Sequence, residues 1–313
     1  MASKKNIATR EAYGDFLVEY GAERKDLIVM CGDLSGSNKT DGFQKAYPER
    51  FVEVGISEQD MFAEAAGIAH SGHVVAASSF CVFAAGRAFE IIRNSIAHTN
   101  ANVKVCATHA GVTVGEDGAT HQAFEDLAIM RTLPGMTVVN PADADATHIL
   151  LKQAFEMNGP VYARLGRSGV PSIYDEDAEL VLGKANTLRK GKDVAIIATG
   201  LMVSKALEAA DMLAEEGIKA RVLDMHTIKP LDEEAVLKAA KKCGAIVTAE
   251  EGTIIGGLGG AVAEVTAKNC PCKIAMVGQN DVFGESGKPD ELLKKYGMTA
   301  EDIYNAAKGL LQK

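Results

Sequence analysis

The 313-residue sequence contains no tryptophan, and aromatic residues make up only 5% of it. No stretch approaches the roughly 18 consecutive apolar residues expected of a membrane-spanning helix. Basic residues are in the minority, since 33 Lys and Arg face 42 Asp and Glu, which leaves a net charge of −9. Broad binding to nucleic acids or anionic membranes needs a basic surface. We therefore predict neither a nucleic-acid nor a membrane partner.

Cysteine pairs at zinc-binding spacing are also missing. Of the six cysteines, only Cys270 and Cys272 are close in sequence, and no second pair accompanies them. The first residues contain no apolar core of signal-peptide length. Reduced thiols and the lack of a secretion signal predict a cytoplasmic protein.

What the sequence does contain is a regular alternation of short apolar runs and segments with helical spacing, together with 31 glycines. This alternation predicts an α/β fold in which mostly parallel sheets are flanked by helices. A polar, acidic stretch interrupts it at 168–193 and indicates an inter-domain connection. We predict a first domain at 1–169, a linker at 170–192 and a second, smaller α/β domain at 193–313.

The predicted elements of the first domain define where loops should lie. Hydroxyl or carboxylate side chains are expected to cap several helices, namely Ser57, Thr120, Ser204, Asp232 and the pair Thr299 and Asp302. The predicted strands are Leu27–Cys31, Phe51–Val54, Val74–Ala77, Val103–Ala107, Thr137–Val139 and Val161–Leu165, and the predicted helices are Arg10–Tyr20, Ser57–His70, Ala84–His98, His121–Arg131 and Asp145–Met157.

Polar and aromatic side chains follow most of these strands directly. Ligands bind to open parallel sheets at the carboxyl ends of the strands, so these side chains predict one shared pocket. Taken alone, Glu58 is better explained as a helix-start carboxylate, and Phe80 with Phe83 as core packing. Arg164 is open to interpretation as a site residue or as an ion-pair residue.

Several motifs together resemble the pyrimidine-binding domain of the transketolase family. G-I-S-E-Q-D-M at 55–61 resembles G-x-x-E-x-x-M, and S-S-F-C-V-F at 78–83 resembles the aromatic loop. The fifteen residues at 108–122 match T-H-x-x-x-x-x-G-E-D-G-x-T-H-Q almost letter for letter. A-T-R-E-A at 8–12 and D-L-S-G-S-N at 33–38 add to this likeness. The segments at 224–232 and 249–260 resemble the family's C-terminal domain.

The resemblance implies a site for thiamine diphosphate and a role for each matching residue. Glu58 would hydrogen-bond the cofactor's pyrimidine ring, which Phe80 and Phe83 would stack against, with Asp33 nearby. His109 and His121 would hydrogen-bond oxygens of the donor sugar and transfer protons, and Asp117 would bind a substrate hydroxyl. The sugar-phosphate clamp would consist of Arg10, Ser37 and Arg167.

One family motif has no counterpart here. The family holds the diphosphate through Mg²⁺ bound by G-D-G and later Asn residues, and G-E-D-G at 115–118 belongs to the histidine motif instead. We therefore expect no metal site on this chain and a separate N-terminal transketolase subunit that carries the Mg²⁺ ligands. By resemblance the assembly is an α2β2 transketolase of the pentose phosphate pathway, which transfers a two-carbon (glycolaldehyde) unit between sugar phosphates.

Three alternatives stay open at the level of sequence. A 1-deoxyxylulose-5-phosphate synthase fragment or a 2-oxo acid dehydrogenase beta-type chain would share the glutamate and the fold. Thr108-His109, Glu116-Asp117 and the T-H-Q motif favour transketolase over both. A non-catalytic regulatory homologue is the third, although a scaffold needs none of the side chains from Glu58 to His121.

Overall fold

The computed structural model describes residues 6–312, and both predicted α/β domains are present. The strands are β1 (Asn6–Ala8), β2 (Leu27–Cys31), β3 (Phe51–Glu53), β4 (Val74–Phe80), β5 (Val103–Thr108), β6 (Thr137–Val139), β7 (Val161–Arg164), β8 (Gly169–Pro171), β9 (Asn186–Arg189), β10 (Val194–Ala198), β11 (Ala220–Asp224), β12 (Thr227–Lys229), β13 (Ala245–Thr253) and β14 (Lys273–Gln279).

The helices alternate with these strands, as the pattern predicts. Short 3₁₀ segments occur at Pro48–Arg50 and Val112–Asp117, and wider π-type turns at Val82–Arg87 and Ile92–Ala97. The α-helices are α1 (Thr9–Glu23), α2 (Ser35–Asn38), α3 (Asp41–Ala46), α4 (Glu58–His70), α5 (Phe89–Ile91), α6 (Asp126–Arg131), α7 (Ala144–Glu156), α8 (Met202–Glu215), α9 (Glu233–Cys243), α10 (Leu258–Asn269), α11 (Pro289–Lys295) and α12 (Ala300–Leu311).

The first domain is built on a seven-stranded sheet in the order β12-β6-β7-β5-β4-β2-β3. Its strands are parallel except β12, which runs antiparallel to β6. Every residue of β4 and β5 is buried, as expected for central strands covered by helices on both faces. The second domain has a five-stranded sheet in the order β14-β13-β10-β11-β9, with β9 as an antiparallel edge.

The two domains are joined more closely than the sequence indicates. Strand β12 comes from the second half of the chain and completes the edge of the first sheet. The stretch expected to be a linker contributes β8, which pairs with β1, and β9 of the second sheet. One apolar cluster includes Tyr162 of the first domain together with Ala195 and Ile246 of the second, so the core is continuous across both domains.

Some local predictions are wrong. The helix expected at His121–Arg131 begins only at Asp126, so Thr120 does not cap it and its hydroxyl contacts the ring of His121 instead. Ser204 lies inside α8, where its hydroxyl donates to the carbonyl of Leu201. Ser57 precedes α4 but makes no side-chain cap. By contrast, the caps at Asp232, Thr299 and Asp302 are confirmed.

Candidate functional site

The predicted site residues occupy helix starts and loops at the carboxyl edge of the first sheet. Phe80 is the last residue of β4, and Thr108 is the last residue of β5, directly before His109. Ser37 lies in α2 after β2, and Glu58 is the first residue of α4 after β3. The parallel topology therefore brings segments that are distant in sequence to the same edge.

Glu58 is a buried carboxylate whose partner is an arginine. Only 2% of its side chain is exposed, and its Oε2 accepts a hydrogen bond from Nη1 of Arg87 at 2.8 Å. The start of a helix favours negative charge, because the unpaired backbone N–H groups point outward there. A buried carboxylate of this kind is a strong acceptor for a ligand that presents an N–H group.

The arginine that pairs with this carboxylate also borders a cluster of four rings, since its guanidinium carbon lies 5.1 Å from the Phe83 centroid. Phe80 and Phe83 stack with centroids 5.9 Å apart and an interplanar angle of 12°. The His109 ring stacks on Phe80, with the two centroids 3.7 Å apart. His121 approaches edge-on, 5.5 Å from the Phe83 centroid. One imidazole thus covers the buried Phe80 ring and the other lies at the edge of Phe83, which is the less buried of the two phenylalanines.

Hydrogen bonds determine which nitrogen of His109 carries its proton. The hydroxyl oxygen of Thr108 lies 2.6 Å from Oδ1 of Asn38 and 2.9 Å from Nδ1 of His109. A hydroxyl has one hydrogen, and because the Asn38 carbonyl oxygen only accepts, that hydrogen goes to Asn38. Thr108 therefore accepts from Nδ1–H of His109. The lone pair of the imidazole is left on Nε2.

His109 is also kept neutral. Burial, followed by the charges of Arg10, Arg167 and His121, lowers the pKa of His109 to about 3. Its backbone has a φ of +59°, an uncommon conformation for a residue other than glycine. The strained backbone and the Thr108 hydrogen bond together define the position of this ring. Near neutral pH the Nε2 atom can accept a hydrogen bond.

A cationic region borders the histidines. Nη1 of Arg10 donates to the backbone oxygen of Ser37 at 2.8 Å, while its buried Nε has no partner within residues 6–312. Arg167 Nη1 lies 3.6 Å from Glu116 Oε2 and 3.9 Å from Asp117 Oδ2. Burial and, to a smaller extent, the charge of Arg167 lower the pKa of Arg10. An anion bound here would relieve this repulsion and provide an acceptor for the free Nε–H.

Asp33 is held through its backbone. Its N–H donates to Oε1 of Glu53 at 2.6 Å, and the same oxygen accepts from the N–H of Gly55 at 3.0 Å. The φ of Asp33 is +59°, so the chain turns sharply after β2. This bond ties the Asp33 loop to the segment that leads into Glu58.

The second domain supports the histidine segment from behind. Oε1 of Glu251 accepts from the backbone N–H of Thr113 at 2.7 Å. Gly111 has a φ of +67°, and a Cβ there would lie 2.4 Å from the Glu251 carboxyl, so only glycine fits. Nε2 of Gln122 donates to the backbone oxygen of Glu285 at 2.9 Å. Both ends of the motif at 108–122 are thus held by the second domain.

Arg164 is an ion-pair residue rather than a site residue. Its Nε lies 2.7 Å from Oδ2 of Asp126 and its Nη2 lies 3.1 Å from Oδ1, which makes a bidentate pair. The Nη2 atom also donates to the backbone oxygen of Glu251 at 2.8 Å. All of this lies in the buried region between the domains.

Sequence reasoning missed three contributors to this region. Asn38 orients Thr108, and its place in the D-L-S-G-S-N motif is the signal that pointed to it. Arg87 follows Phe83 by four residues, a spacing that places side chains on the same face of a helix. Glu285 is more than 160 residues away from Gln122 in sequence, and only the folded structure brings them together.

Comparisons with known proteins agree with this geometry. The family model for the transketolase pyrimidine-binding domain matches residues 5–172, and that for the transketolase C-terminal domain matches residues 183–303. The chain belongs to the transketolase family. This family depends on thiamine diphosphate. The first match covers the part of the chain that holds the candidate site.

Individual relatives point to one section of a divided transketolase. The chain is 50% identical to a "Putative transketolase C-terminal section" from Methanocaldococcus jannaschii, over 94% of this chain and 93% of that protein. It is 42% identical to one of the subunits of an apulose-4-phosphate transketolase from Phocaeicola vulgatus, over 98% of each.

A solved structure described as "Split gene transketolase, inactive beta4 tetramer" matches with a TM-score of 0.91. It shares 54% identity over 97% of this chain and 98% of that one. The chain therefore resembles the C-terminal (beta) section of a split transketolase, a type of subunit that implies a separate partner chain and oligomerisation. Within residues 6–312, every helix is too short or too polar to span a bilayer.

Proposed function

We propose that this chain is the C-terminal subunit of a split transketolase. With a separate N-terminal subunit it transfers a two-carbon ketol unit from a ketose phosphate to an aldose phosphate, using thiamine diphosphate. The observation that carries the proposal is the buried Glu58 carboxylate, which the Arg87 guanidinium connects to the ring of Phe83, itself stacked with Phe80. The imino tautomer of an aminopyrimidine carries a ring N–H that needs such an acceptor, and its flat ring needs such a face for stacking, so the residues fit the cofactor.

Glu58, Phe80 and Phe83 are the residues that would hold the pyrimidine ring, with Asp33 nearby. When bound, the cofactor supplies the nucleophilic carbon that carries the two-carbon unit. Glu58 would accept a hydrogen bond from the ring N–H of the imino tautomer and thereby favour that tautomer, and its burial would strengthen the bond because water does not compete. We place the diphosphate and its Mg²⁺ on the partner subunit, since the family's metal-binding motif is missing from this sequence.

The neighbouring side chains suit a sugar phosphate. Nε2 of His109 would accept a hydrogen bond from a substrate hydroxyl. His121, at the edge of Phe83, would exchange protons with oxygens of the donor sugar. Asp117 would accept a hydrogen bond from a second hydroxyl of the sugar. Arg10 and Arg167, with Ser37, would clamp the phosphate, and the free Nε–H of Arg10 supports an anion there.

We further propose an α2β2 assembly in the cytoplasm, serving the pentose phosphate pathway. All six cysteines are unpaired, which is typical of proteins from a reducing compartment. The related tetramer described as inactive contains beta chains alone. By analogy, this chain would be inactive until its partner provides the other half of the site.

Reconstitution tests the proposal. The purified chain is mixed with a partner that bears the G-D-G…Asn motif, thiamine diphosphate and Mg²⁺, and products are measured from ribose 5-phosphate with several ketose donors. Xylulose 5-phosphate is the first donor, and apulose 4-phosphate is included because a relative bears its name. We expect transfer only when both chains are present. Failure with every donor would refute the assignment, and turnover of pyruvate instead would favour the synthase or dehydrogenase alternatives.

Two variants assign the chemistry to Glu58. Glu58→Ala is expected to abolish transfer while the chain stays folded by circular dichroism. Glu64→Ala is the matched control, because Glu64 lies on the same helix but is exposed. Full activity in Glu58→Ala would remove this carboxylate from the mechanism.

A further inference from the structure

One side chain already meets both requirements that define the pyrimidine position. Nη1 of Arg87 lies 2.8 Å from the Glu58 carboxylate, and the central carbon of the same guanidinium lies 5.1 Å from the centroid of Phe83. The Arg87 side chain is 50% exposed, whereas Glu58 is 2% exposed. The guanidinium therefore reaches inward from the solvent side to a buried carboxylate.

The backbone is unusual at this point. The N–H of Ala88 donates to the carbonyl of Phe83 at 3.2 Å, a bond between residues five apart. Such wide turns inside helices are rare and are frequently found at functional sites. The sequence pattern predicted one continuous helix at Ala84–His98, but the chain instead forms wide turns on either side of a short α-helix at Phe89–Ile91. The first of these turns contains both Phe83 and Arg87.

A guanidinium and an aminopyrimidine make the same kinds of contact. Both are flat and both stack on an aromatic face. The guanidinium donates N–H groups to a carboxylate, and the aminopyrimidine does the same in its ring-protonated or imino form. Since one carboxylate and one ring are shared, the two groups cannot occupy this place together. We propose that Arg87 fills the aminopyrimidine position in the uncombined chain and has to swing outward before the cofactor ring binds. The proposal rests on the function proposed above.

The burial of each partner supports this movement. A buried carboxylate without a partner is costly, so Arg87 stabilises Glu58 until another N–H donor arrives. The guanidinium is already half exposed, so its outward movement restores its hydration, and the cost of separation falls on the buried carboxylate until the ring supplies a new donor. The exchange then replaces one partner of Glu58 by another, so that the carboxylate is paired both before and after the ring binds.

Binding of the ring fragment to the free chain tests the inference without any turnover. The probe is 4-amino-5-hydroxymethyl-2-methylpyrimidine, and its dissociation constant is measured by isothermal titration calorimetry. Arg87→Ala is expected to bind the fragment at least about tenfold more tightly than the unchanged chain, because the competing donor is gone. Arg93→Ala, an exposed arginine from the same helical segment, is expected to bind like the unchanged chain.

Further arms separate the possible outcomes. Methylguanidinium added to Arg87→Ala should compete with the fragment, and Arg87→Met replaces the alanine variant if circular dichroism shows that the latter is unfolded. Equal or weaker fragment binding after removal of Arg87 would overturn the inference, as would no binding by any variant. Adding Glu58→Ala to the Arg87→Ala variant should abolish the tighter binding of the fragment. Binding that survives that change would instead count against Glu58 and the proposed function.

Discussion

The hydrogen-bond chain from Asn38 through Thr108 to His109 gives a prediction that can be worked out in detail. Thr108→Val keeps the shape of the side chain but removes its hydroxyl. Both neighbours are buried, so the change leaves the Asn38 carbonyl oxygen and the His109 Nδ1–H without their partner. An unsatisfied buried polar group costs about 1–3 kcal/mol. We therefore expect the free energy of unfolding to fall by about 2–4 kcal/mol.

The same substitution should change the tautomer of His109. With Thr108 present, the ring proton is on Nδ1 because the hydroxyl can only accept from it. Without it, nothing in residues 6–312 holds the proton there, and the lone pair is no longer fixed at Nε2. Nitrogen-15 NMR of the imidazole distinguishes the two forms. Loss of transfer activity in the reconstituted enzyme should accompany the shift.

Two variants serve as controls for this prediction. Thr108→Ser keeps the hydroxyl and should restore both stability and tautomer to within about 1 kcal/mol of the unchanged chain. Thr120→Val removes the comparable but exposed contact with His121, 2.9 Å long, and should alter stability little. If Thr108→Val is as stable as the unchanged chain and His109 keeps its proton on Nδ1, the hydrogen-bond reasoning is wrong.

Three other predictions concern stability and are measured by urea unfolding. Gly118→Ala should lower the free energy of unfolding by about 1–3 kcal/mol, because the φ of Gly118 is +78° and the new Cβ would lie 2.5 Å from a serine hydroxyl of the second domain. Gly36→Ala is the control and should leave the stability unchanged, because a Cβ at Gly36 meets nothing within 4 Å. Arg164→Ala leaves the buried Asp126 carboxylate unpaired and should cost about 3–5 kcal/mol. A loss under about 1 kcal/mol in either case would contradict the contacts described. The pKa of His109 falls from 6.5 to about 3 on folding. Between these two values the unfolded chain binds a proton that the folded chain does not, so the folded state loses stability as the pH is lowered through this range. The contribution of His109 should approach about 1.4 kcal/mol per pH unit, and His109→Gln should lose this contribution while that of other buried groups, such as His226, remains. An unchanged pH profile in that variant would contradict the reasoning.

Much of the fold follows from local pattern. Central strands such as Val74–Phe80 are recognisable because they are apolar along their whole length, and caps such as Asp232 lie directly before a helical repeat. The antiparallel edge strands β9 and β12 were missed because they are short, and β9 (Asn186–Arg189) is also only partly buried. Their position depends on pairing with distant strands, which no local pattern encodes.

The candidate site also has parts that the sequence predicts and parts that only the folded structure shows. Glu58, Phe83 and His109 follow predicted strands, and family motifs mark them in sequence. The helix expected from His121 failed because Gln122 bonds to the second domain and holds the segment in an irregular conformation until Asp126. That contact is a tertiary one, so periodicity could not reveal it.

The central claim is that Glu58 binds the pyrimidine ring of a cofactor whose diphosphate is held by another chain. A crystal structure of this chain with its partner, thiamine diphosphate and Mg²⁺ tests it most directly. We predict the ring nitrogen about 3 Å from the Glu58 carboxylate, with the ring against Phe83 and the diphosphate on the partner. A cofactor bound away from Glu58, or held entirely by this chain, would contradict the account.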